Sequence, residues 1–216
     1  MLKHTTTYGV IITLIACCFT SCTSISNNKA PVEITRPVIE PAKTYNPYVT
    51  VDVSPLDISY YPVNYPTQLM NGNDSAALLA RVIYSRPQKN GRTIFGNEAP
   101  PKCVQQYGNY WRLGANEATE IEFFKAVTIA GKKMAKGRYV IYCIPFENKW
   151  TIVFNSNLYS WGLHPDTTKD LVTVDIPAEK TDKIIEYFTM VFQESPTGAN
   201  LIMAWDNAKA VLPISF

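Results

Sequence analysis

The segments YVIYCI at residues 139–144 and WTIVF at residues 150–154 indicate the fold class of this chain. Both consist mainly of β-branched and aromatic residues, which favour β-strands. Further strand-like segments recur about every ten positions and are separated by turn residues. They span residues 79–85, 120–123, 125–129, 171–176, 201–205 and 211–214. We therefore predict an all-β fold, a single antiparallel β-sandwich domain of the jelly-roll type.

Residues 184–192, with the sequence IIEYFTMVF, fit two kinds of secondary structure. Their apolar residues lie on one face of a helix when the segment is drawn with helical periodicity. The segment is also rich in aromatic and β-branched residues, and its side chains alternate between two sets, as they do along a strand. We predict a strand at this position.

The composition indicates a folded protein, and its charge balance gives no sign of a strongly charged partner. The chain has 216 residues, of which 46% are hydrophobic and 18% are charged, and this balance excludes a wholly disordered or collagen-like chain. The net charge is only +2 and the charged residues are spread along the sequence, so we expect no nucleic-acid partner. The sequence shows no internal repeat of about 20 to 50 residues, which argues against a solenoid or propeller.

The N-terminus has the layout of an export signal. Lys3 precedes an apolar stretch at residues 10–19, and two small residues then precede Cys22. About ten apolar residues are too few for a membrane span, which needs roughly 20. A cysteine after small residues resembles the lipobox of bacterial lipoproteins, so we predict a lipoprotein signal peptide at residues 1–21 and acylation of Cys22. Cys17 is the alternative acylation site, and an ordinary secretory signal without lipid is the alternative to both.

Lipidation would set the location of the protein and its membrane partner. An acylated cysteine inserts into a lipid bilayer, so we expect an exported protein anchored in the cell envelope, on the outer membrane and facing the periplasm or the surface. Residues 22–53 are polar and contain recurring prolines, which favour an extended tether over a packed element. The predicted folded domain then covers residues 54–216.

Two cysteines, Cys103 and Cys143, lie in the predicted folded domain. They could form a disulfide in an oxidising compartment, but Cys143 lies within the apolar segment 139–144, and we expect both thiols to be free.

The domain contains one histidine, His164, so we expect no catalytic zinc site. Neither a phosphate-binding loop nor a Gly-x-Ser-x-Gly motif occurs in the sequence. We predict no metal and no cofactor.

The densest polar segment, WRLGANEAT at residues 111–119, contains the predicted ligand site. It lies at the end of a predicted strand, and the loops at strand ends are where sandwich domains usually bind ligands. We expect three arginines of this region to converge on an anionic carboxylate or another polar ligand, which Asn116 and Glu117 would orient. A glycan is a further candidate ligand, because Trp161 and the tyrosines Tyr60, Tyr61 and Tyr65 offer flat apolar faces. The candidate binding residues are Arg86, Arg92, Trp111, Arg112, Asn116, Glu117 and Thr119.

Three alternatives to this ligand-binding function stay open. Arg112 and Glu117 could form a structural ion pair inside the loop. A hydrolase acting on envelope glycans could use Glu117 as a general base, but it would need a second carboxylate, for which Glu98, Glu120 and Asp170 are candidates. The domain could also be a structural protein of the envelope that binds another protein.

Several segments of the chain are similar to the domain of unknown function 2911 family. The resemblance covers residues 54–216 and implies an exported, often lipid-anchored protein of Gram-negative bacteria, in a family without an established activity. The chain departs from the family pattern at residues 100–110, where KCVQQ lengthens the approach to Trp111. The segments that carry the resemblance are YSRP at 84–87, GRTIFG at 91–96, WRLGANEAT at 111–119, GRY at 137–139, WTI at 150–152 and WG at 161–162.

Overall fold

Strands β8 (Gly137–Pro145) and β9 (Lys149–Asn155) form the hairpin at the centre of the main sheet, and they contain the two apolar segments that indicate the fold class. They pair antiparallel, with Ile141 opposite Phe154, and both of these side chains are fully buried. The computed structural model describes residues 48–216, and all structural statements below refer to this part of the chain.

The other elements of the described part are mostly short strands. One helix, α1 (Tyr65–Met70), and one 3₁₀ turn, at Thr167–Lys169, are the only helical segments between residues 48 and 216. The strands are β1 (Leu56–Tyr61), β2 (Ala80–Ser85), β3 (Phe95–Gly96), β4 (Gln105–Gln106), β5 (Glu120–Phe123), β6 (Val127–Ile129), β7 (Lys132–Met134), β10 (Asp170–Ser195) and β11 (Gly198–Ser215).

Nine strands form one antiparallel sheet in the order β1-β2-β5-β8-β9-β10-β11-β6-β7, while β3 and β4 pair separately. Strand β10 is 26 residues long and takes part in both halves of the sheet, because residues 170–177 pair with β9 and residues 178–195 pair with β11. Its register shifts between Lys180 and Ile185 and again between Ile185 and Thr189. Such irregularities bend a strand, so the sheet folds over into two facing layers. The predicted all-β sandwich is confirmed.

An aromatic cluster fills the space between the two layers. The Trp111 ring lies 4.9 Å from Phe188, 5.5 Å from Trp150 and 5.9 Å from Trp205, measured between ring centroids. All four side chains are buried. Edge-to-face and offset ring contacts of this kind add about 0.5–1.5 kcal/mol each to the effect of burial alone. The cluster therefore joins the first layer, which contains Trp150, to the second layer, which contains Phe188 and Trp205.

Residues 184–192 lie within β10, which confirms the predicted strand. Phe188 and Phe192 are 0% and 4% exposed, whereas Tyr187 and Val191 are 45% and 41% exposed. This alternation has the period of a strand and places one face of the segment in the core.

Cys103 and Cys143 are free thiols, as predicted, and both are buried. The Cys103 Sγ donates to the Glu98 carbonyl oxygen at 2.7 Å, and Cys143 lies in the core of the main sheet.

The predictions for the N-terminus concern residues that are mostly outside the described part. The signal peptide at residues 1–21, the two candidate acylation sites Cys17 and Cys22, and residues 22–47 of the proposed tether all lie outside it. Residues 48–53 are described, and they are exposed and have no regular secondary structure. Between residues 48 and 216, no helix is long and apolar enough to cross a membrane.

Candidate functional site

The loop at residues 112–118, here called the Arg112 loop, is fixed in the core at both ends. Before it, Trp111 exchanges two backbone hydrogen bonds with Cys143 of β8, with N–O distances of 2.7 and 2.8 Å. After it, the Thr119 hydroxyl donates to the Leu113 carbonyl at 2.6 Å. The Trp111 and Thr119 side chains are only 5% and 0% exposed. These two candidate residues therefore position the loop, and their side chains are not available to a ligand.

Gly114 allows the Arg112 loop to pack directly against β2. Its φ is +151°, and a Cβ at this position would lie 2.7 Å from the carbonyl oxygen of Ser85. Leu113 and Asn116 also have positive φ, at 55° and 59°, which is uncommon for residues other than glycine. The loop thus keeps an unusual backbone conformation because its surroundings hold it there.

A second loop, at residues 156–166 and here called the Trp161 loop, packs against the Arg112 loop. Ala118 N donates to Ser160 O at 3.2 Å, and Arg112 Nη1 donates to Trp161 O, also at 3.2 Å. Gly162 has a φ of +80°, and a Cβ there would lie 2.9 Å from Arg112 Cβ and 3.0 Å from Ala118 Cα. The close approach of the two loops therefore requires glycine at position 162.

The two loops and the segment before β1 enclose a cleft of about 680 Å³, here called the acidic cleft. Three carboxylates, from Asp52, Glu117 and Glu120, line it. The aromatic residues Tyr159 and Trp161 line it from the Trp161 loop. The cleft therefore combines hydrogen-bond acceptors with aromatic surface, and its lining contains no arginine or lysine among the described residues.

Some polar groups of the acidic cleft are already engaged. Asn116 Nδ2 donates to Asp52 Oδ2 at 2.7 Å, which joins the Arg112 loop to the segment before β1. Arg138 Nε lies 2.8 Å from Glu120 Oε2, an ion pair in which the Nε hydrogen is not directed at the oxygen. Glu117 is exposed and forms no ion pair within residues 48–216. Its carboxylate is the one most available to a ligand.

The two aromatic residues of the acidic cleft are both exposed, and each is supported by an arginine. Tyr159 is 83% exposed, and the Cζ atom of Arg138 lies 5.9 Å from its ring centroid. Trp161 is 56% exposed, and the Cζ atom of Arg112 lies 5.8 Å from its ring centroid. Cation–π contacts of this kind hold a ring in place while leaving its opposite face accessible. Tyr159 also has a φ of 61°, a conformation uncommon for a tyrosine.

A second cleft, of about 540 Å³ and here called the arginine cleft, lies beside the Arg112 loop. Arg92 and Arg112 line it, together with Gln88 and Asn90, and the described residues that line it include no Asp or Glu. Burial lowers the pKa of Arg112, and the nearby charge of Glu117 opposes this shift. Glu117 lies in the other cleft, and no ion pair joins it to Arg112 within the described part.

Arg86, the third arginine expected to converge on a ligand, lies in neither cleft. Its Nη1 forms an ion pair with Asp57 Oδ2 at 3.1 Å, its Nε donates to Phe188 O, and its Nη2 donates to the Thr189 hydroxyl. Arg86 therefore links β1 to β10 in the opposite layer. The structure brings Arg92 and Arg112 together and places Arg86 apart from them.

The remaining sequence candidates are mostly packing or surface residues. Tyr61 stacks on Phe216 at 5.1 Å, and its hydroxyl donates to Gly198 O at 2.6 Å. The Tyr60 and Tyr65 rings lie 5.8 Å from each other, and neither residue lines the two clefts. His164 is exposed, and residues 48–216 contain no cluster of three or more residues able to bind a metal ion.

Of the carboxylates proposed as partners of Glu117, only Glu120 lines the same cleft. Glu98 forms an ion pair with Lys102 at 2.6 Å. Asp170 accepts hydrogen bonds from Tyr142 Oη at 2.8 Å and from Asn155 Nδ2 at 2.7 Å, so it belongs to a polar network at the end of β9.

Sequence reasoning did not identify Asp52 and Tyr159 as part of the site. Asp52 lies in the proposed tether, where no packed element was expected, and no motif distinguishes Tyr159 from the other tyrosines among the 13 of the chain. The neighbouring WG pair at residues 161–162 was the one available signal, because a glycine beside an aromatic residue in a loop suggests a tight packing contact.

Comparison with known proteins identifies one family and nothing more specific. No curated protein and no solved structure matches the chain. A family model described as "Protein of unknown function (DUF2911)" matches residues 66–214, which is more than half of the chain. The matched part includes the Arg112 loop, the Trp161 loop and every residue of the two clefts except Asp52, Val53, Ser54 and Leu56. The chain therefore belongs to the DUF2911 family.

Proposed function

We propose that this domain is a ligand-binding module that takes a glycan in the acidic cleft. The observation that carries the proposal is the pair of exposed rings, Tyr159 and Trp161, at a cleft that combines apolar wall residues such as Ile83 with a few polar groups. The C–H faces of a sugar ring are apolar and pack on aromatic side chains, while its hydroxyl groups need hydrogen-bond partners. Concave sites with apolar walls and a few placed polar groups are typical of small-ligand binding.

The polar groups of the acidic cleft suit the hydroxyl groups of a sugar. The exposed Glu117 carboxylate accepts hydrogen bonds from sugar hydroxyls. The Asn116 Nδ2 already donates to Asp52 and to the Ser54 carbonyl, so Asn116 offers a ligand its Oδ1 acceptor. Three carboxylates in one cleft repel a negatively charged ligand, so the proposal narrows to a neutral glycan, or to the neutral part of a larger one, at this position.

The test is equilibrium binding measured by isothermal titration calorimetry, with chitohexaose and soluble peptidoglycan fragments as probes. Replacing Trp161 with alanine should weaken binding by about tenfold or more, since aromatic side chains that a ligand covers contribute much of the binding free energy. Phe124→Ala is the matched control, because Phe124 is 40% exposed and carries Arg81 at 5.9 Å from its ring but lies in neither cleft. Absence of saturable binding to both probes, or equal losses in the two variants, would refute the proposal.

Hydrolysis of a glycan is the second candidate function, because Glu117 and Glu120 line the same cleft. Glycoside hydrolysis generally needs a pair of carboxyl groups, one as acid and one as base or nucleophile. Release of new reducing ends from either probe, abolished by Glu117→Gln, would assign the enzyme. Saturable binding without product assigns the binding module. A structural envelope protein shows neither and is instead recovered crosslinked to a protein.

We further propose that the chain is exported and anchored in the cell envelope through acylated Cys22, with residues 22–53 as a tether. The support is the apolar stretch that ends in small residues and a cysteine, followed by a polar, proline-containing segment. Stable anchoring takes more than one acyl chain. Metabolic labelling with an alkyne analogue of palmitate should mark the wild-type chain and Cys17→Ser but not Cys22→Ser. The reverse pattern would assign Cys17, and an unlabelled wild-type chain would exclude lipidation.

A further inference from the structure

The arginine cleft carries an inference that is separate from glycan binding. It has a volume of about 540 Å³, and both arginines that line it face a space without a carboxylate among the described lining residues. We propose that this cleft is a second binding site, which takes the oxyanion of a small ligand, a carboxylate or a phosphate group, between Arg92 and Arg112.

The first support is the number of guanidinium donors that the protein leaves unused. A guanidinium group has five N–H donors in a planar fork that suits carboxylate and phosphate oxygens. Arg112 uses one of them, from Nη1 to the Trp161 carbonyl. Arg92 uses two, from Nε to the Lys89 carbonyl at 3.0 Å and from Nη2 to the Gln88 carbonyl. Within residues 48–216, neither arginine has a carboxylate at ion-pair distance.

The second support concerns the acidic residues near the cleft: Glu117, whose charge acts on Arg112, lines the acidic cleft instead, and Asp206 and Glu186 are engaged elsewhere. Asp206 forms an ion pair with Lys89 Nζ at 3.0 Å, and Glu186 Oε1 accepts a hydrogen bond from Asn90 N at 2.8 Å. None of these three acidic residues lines the arginine cleft. The charge facing the cleft is therefore positive, although the chain as a whole is close to neutral.

The third support is the structural position of Arg112. Its guanidinium is held against the Trp161 ring and carbonyl, so its orientation is fixed before a ligand arrives. Its partial burial disfavours the charged form, which lowers the pKa of Arg112. An anion bound at this point would offset that loss of hydration, and a positioned guanidinium pays less conformational entropy on binding than a free one.

The experiment measures binding of three probes to the full chain by calorimetry at constant ionic strength, which sodium chloride maintains. The probes are inorganic phosphate, galacturonate and galactose. We expect saturable binding of phosphate, galacturonate or both, and none of galactose. Phosphate binding shows that the free anion suffices, whereas binding of galacturonate alone assigns the site to the carboxylate of a sugar acid.

Two variants and one control locate the site. Arg92→Gln should weaken binding by about tenfold or more, because a charged hydrogen-bond donor is lost, and Arg92 is exposed so its replacement should not affect folding. Arg112→Lys keeps the charge and should also weaken binding, since it removes the fork. Lys133→Gln, which removes one positive charge from an exposed position in neither cleft, should leave binding unchanged.

The proposal is overturned if neither anion binds beyond the sodium chloride background. It is also overturned if Arg92→Gln binds as tightly as the wild type, or if Lys133→Gln weakens binding to the same extent. The glycan test uses Trp161→Ala and oligosaccharide probes, whereas this one uses small anions and Arg92→Gln. Either proposal can therefore fail while the other stands.

Discussion

Replacing Gly162 with alanine tests the packing of the two loops that form the site. The Cβ of alanine would lie 2.9 Å from Arg112 Cβ and 3.0 Å from both Cα and Cβ of Ala118, closer than carbon atoms pack. Overpacking of this kind costs about 1–3 kcal/mol. The φ of +80° adds about 1–2 kcal/mol for a residue with a Cβ. We expect Gly162→Ala to lower the free energy of unfolding by about 3 kcal/mol, which lowers the Tm by about 6–12 °C for a domain of this size.

Gly131→Ala is the matched control for this prediction. Gly131 has nearly the same φ, +78°, but a Cβ there meets no atom within 4 Å. Its replacement should therefore lower the free energy of unfolding only by the contribution of the positive φ, about 1–2 kcal/mol. Urea unfolding of the wild type and both variants measures the difference. If Gly162→Ala and Gly131→Ala are equally destabilised, and the Trp161 loop keeps its amide-exchange protection in both, the steric reasoning is wrong.

Two further predictions concern buried titratable groups. Burial and the hydrogen bond to Asp170 raise the pKa of Tyr142 from its usual 10.0. Above about pH 10 the Tyr142 hydroxyl therefore ionises in the unfolded chain but not in the folded one, and the free energy of unfolding falls as the pH rises. Between about pH 9 and about pH 11 the free energy of unfolding, measured with urea, should fall less in Tyr142→Phe than in the wild type; an equal fall would contradict this. Burial also raises the pKa of the Cys103 and Cys143 thiols, and the thiolate is the reactive form. Iodoacetamide should label both only after denaturation, as peptide mass spectrometry would show, and labelling of Cys103 or Cys143 in the native chain would refute their burial.

The strands were predictable because their residues carry a local signal. Along β10, Phe188 and Phe192 alternate with Tyr187 and Val191, and this period-two pattern depends only on which face is buried. The great length of β10 was not predictable in the same way. Its two halves pair with different strands, and the bend between them depends on register shifts that only the pairing reveals.

The candidate site was predictable only in part, because its geometry depends on contacts between distant segments. The segment at 111–119 was identified correctly as a loop at a strand end, yet Trp111 within it is a core residue. A polar neighbourhood in the sequence does not reveal which way one side chain points. Arg86 was expected to contact a ligand, but it pairs with Asp57, which lies 29 residues earlier and is brought beside it only by the pairing of β1 with β2. Asp52 lies shortly before β1, so the pairing of β1 with β2 also brings Asp52 to the acidic cleft.

Strand β10 also determines how the domain can come apart. A single uninterrupted backbone belongs to both layers, so no hinge or linker separates one from the other. If one layer unfolds, β10 loses its hydrogen-bond partners in that layer and supports the other layer less well. The aromatic cluster between the layers would be exposed to water in the same event. The sandwich should therefore melt as one cooperative unit, without a stable half-folded species.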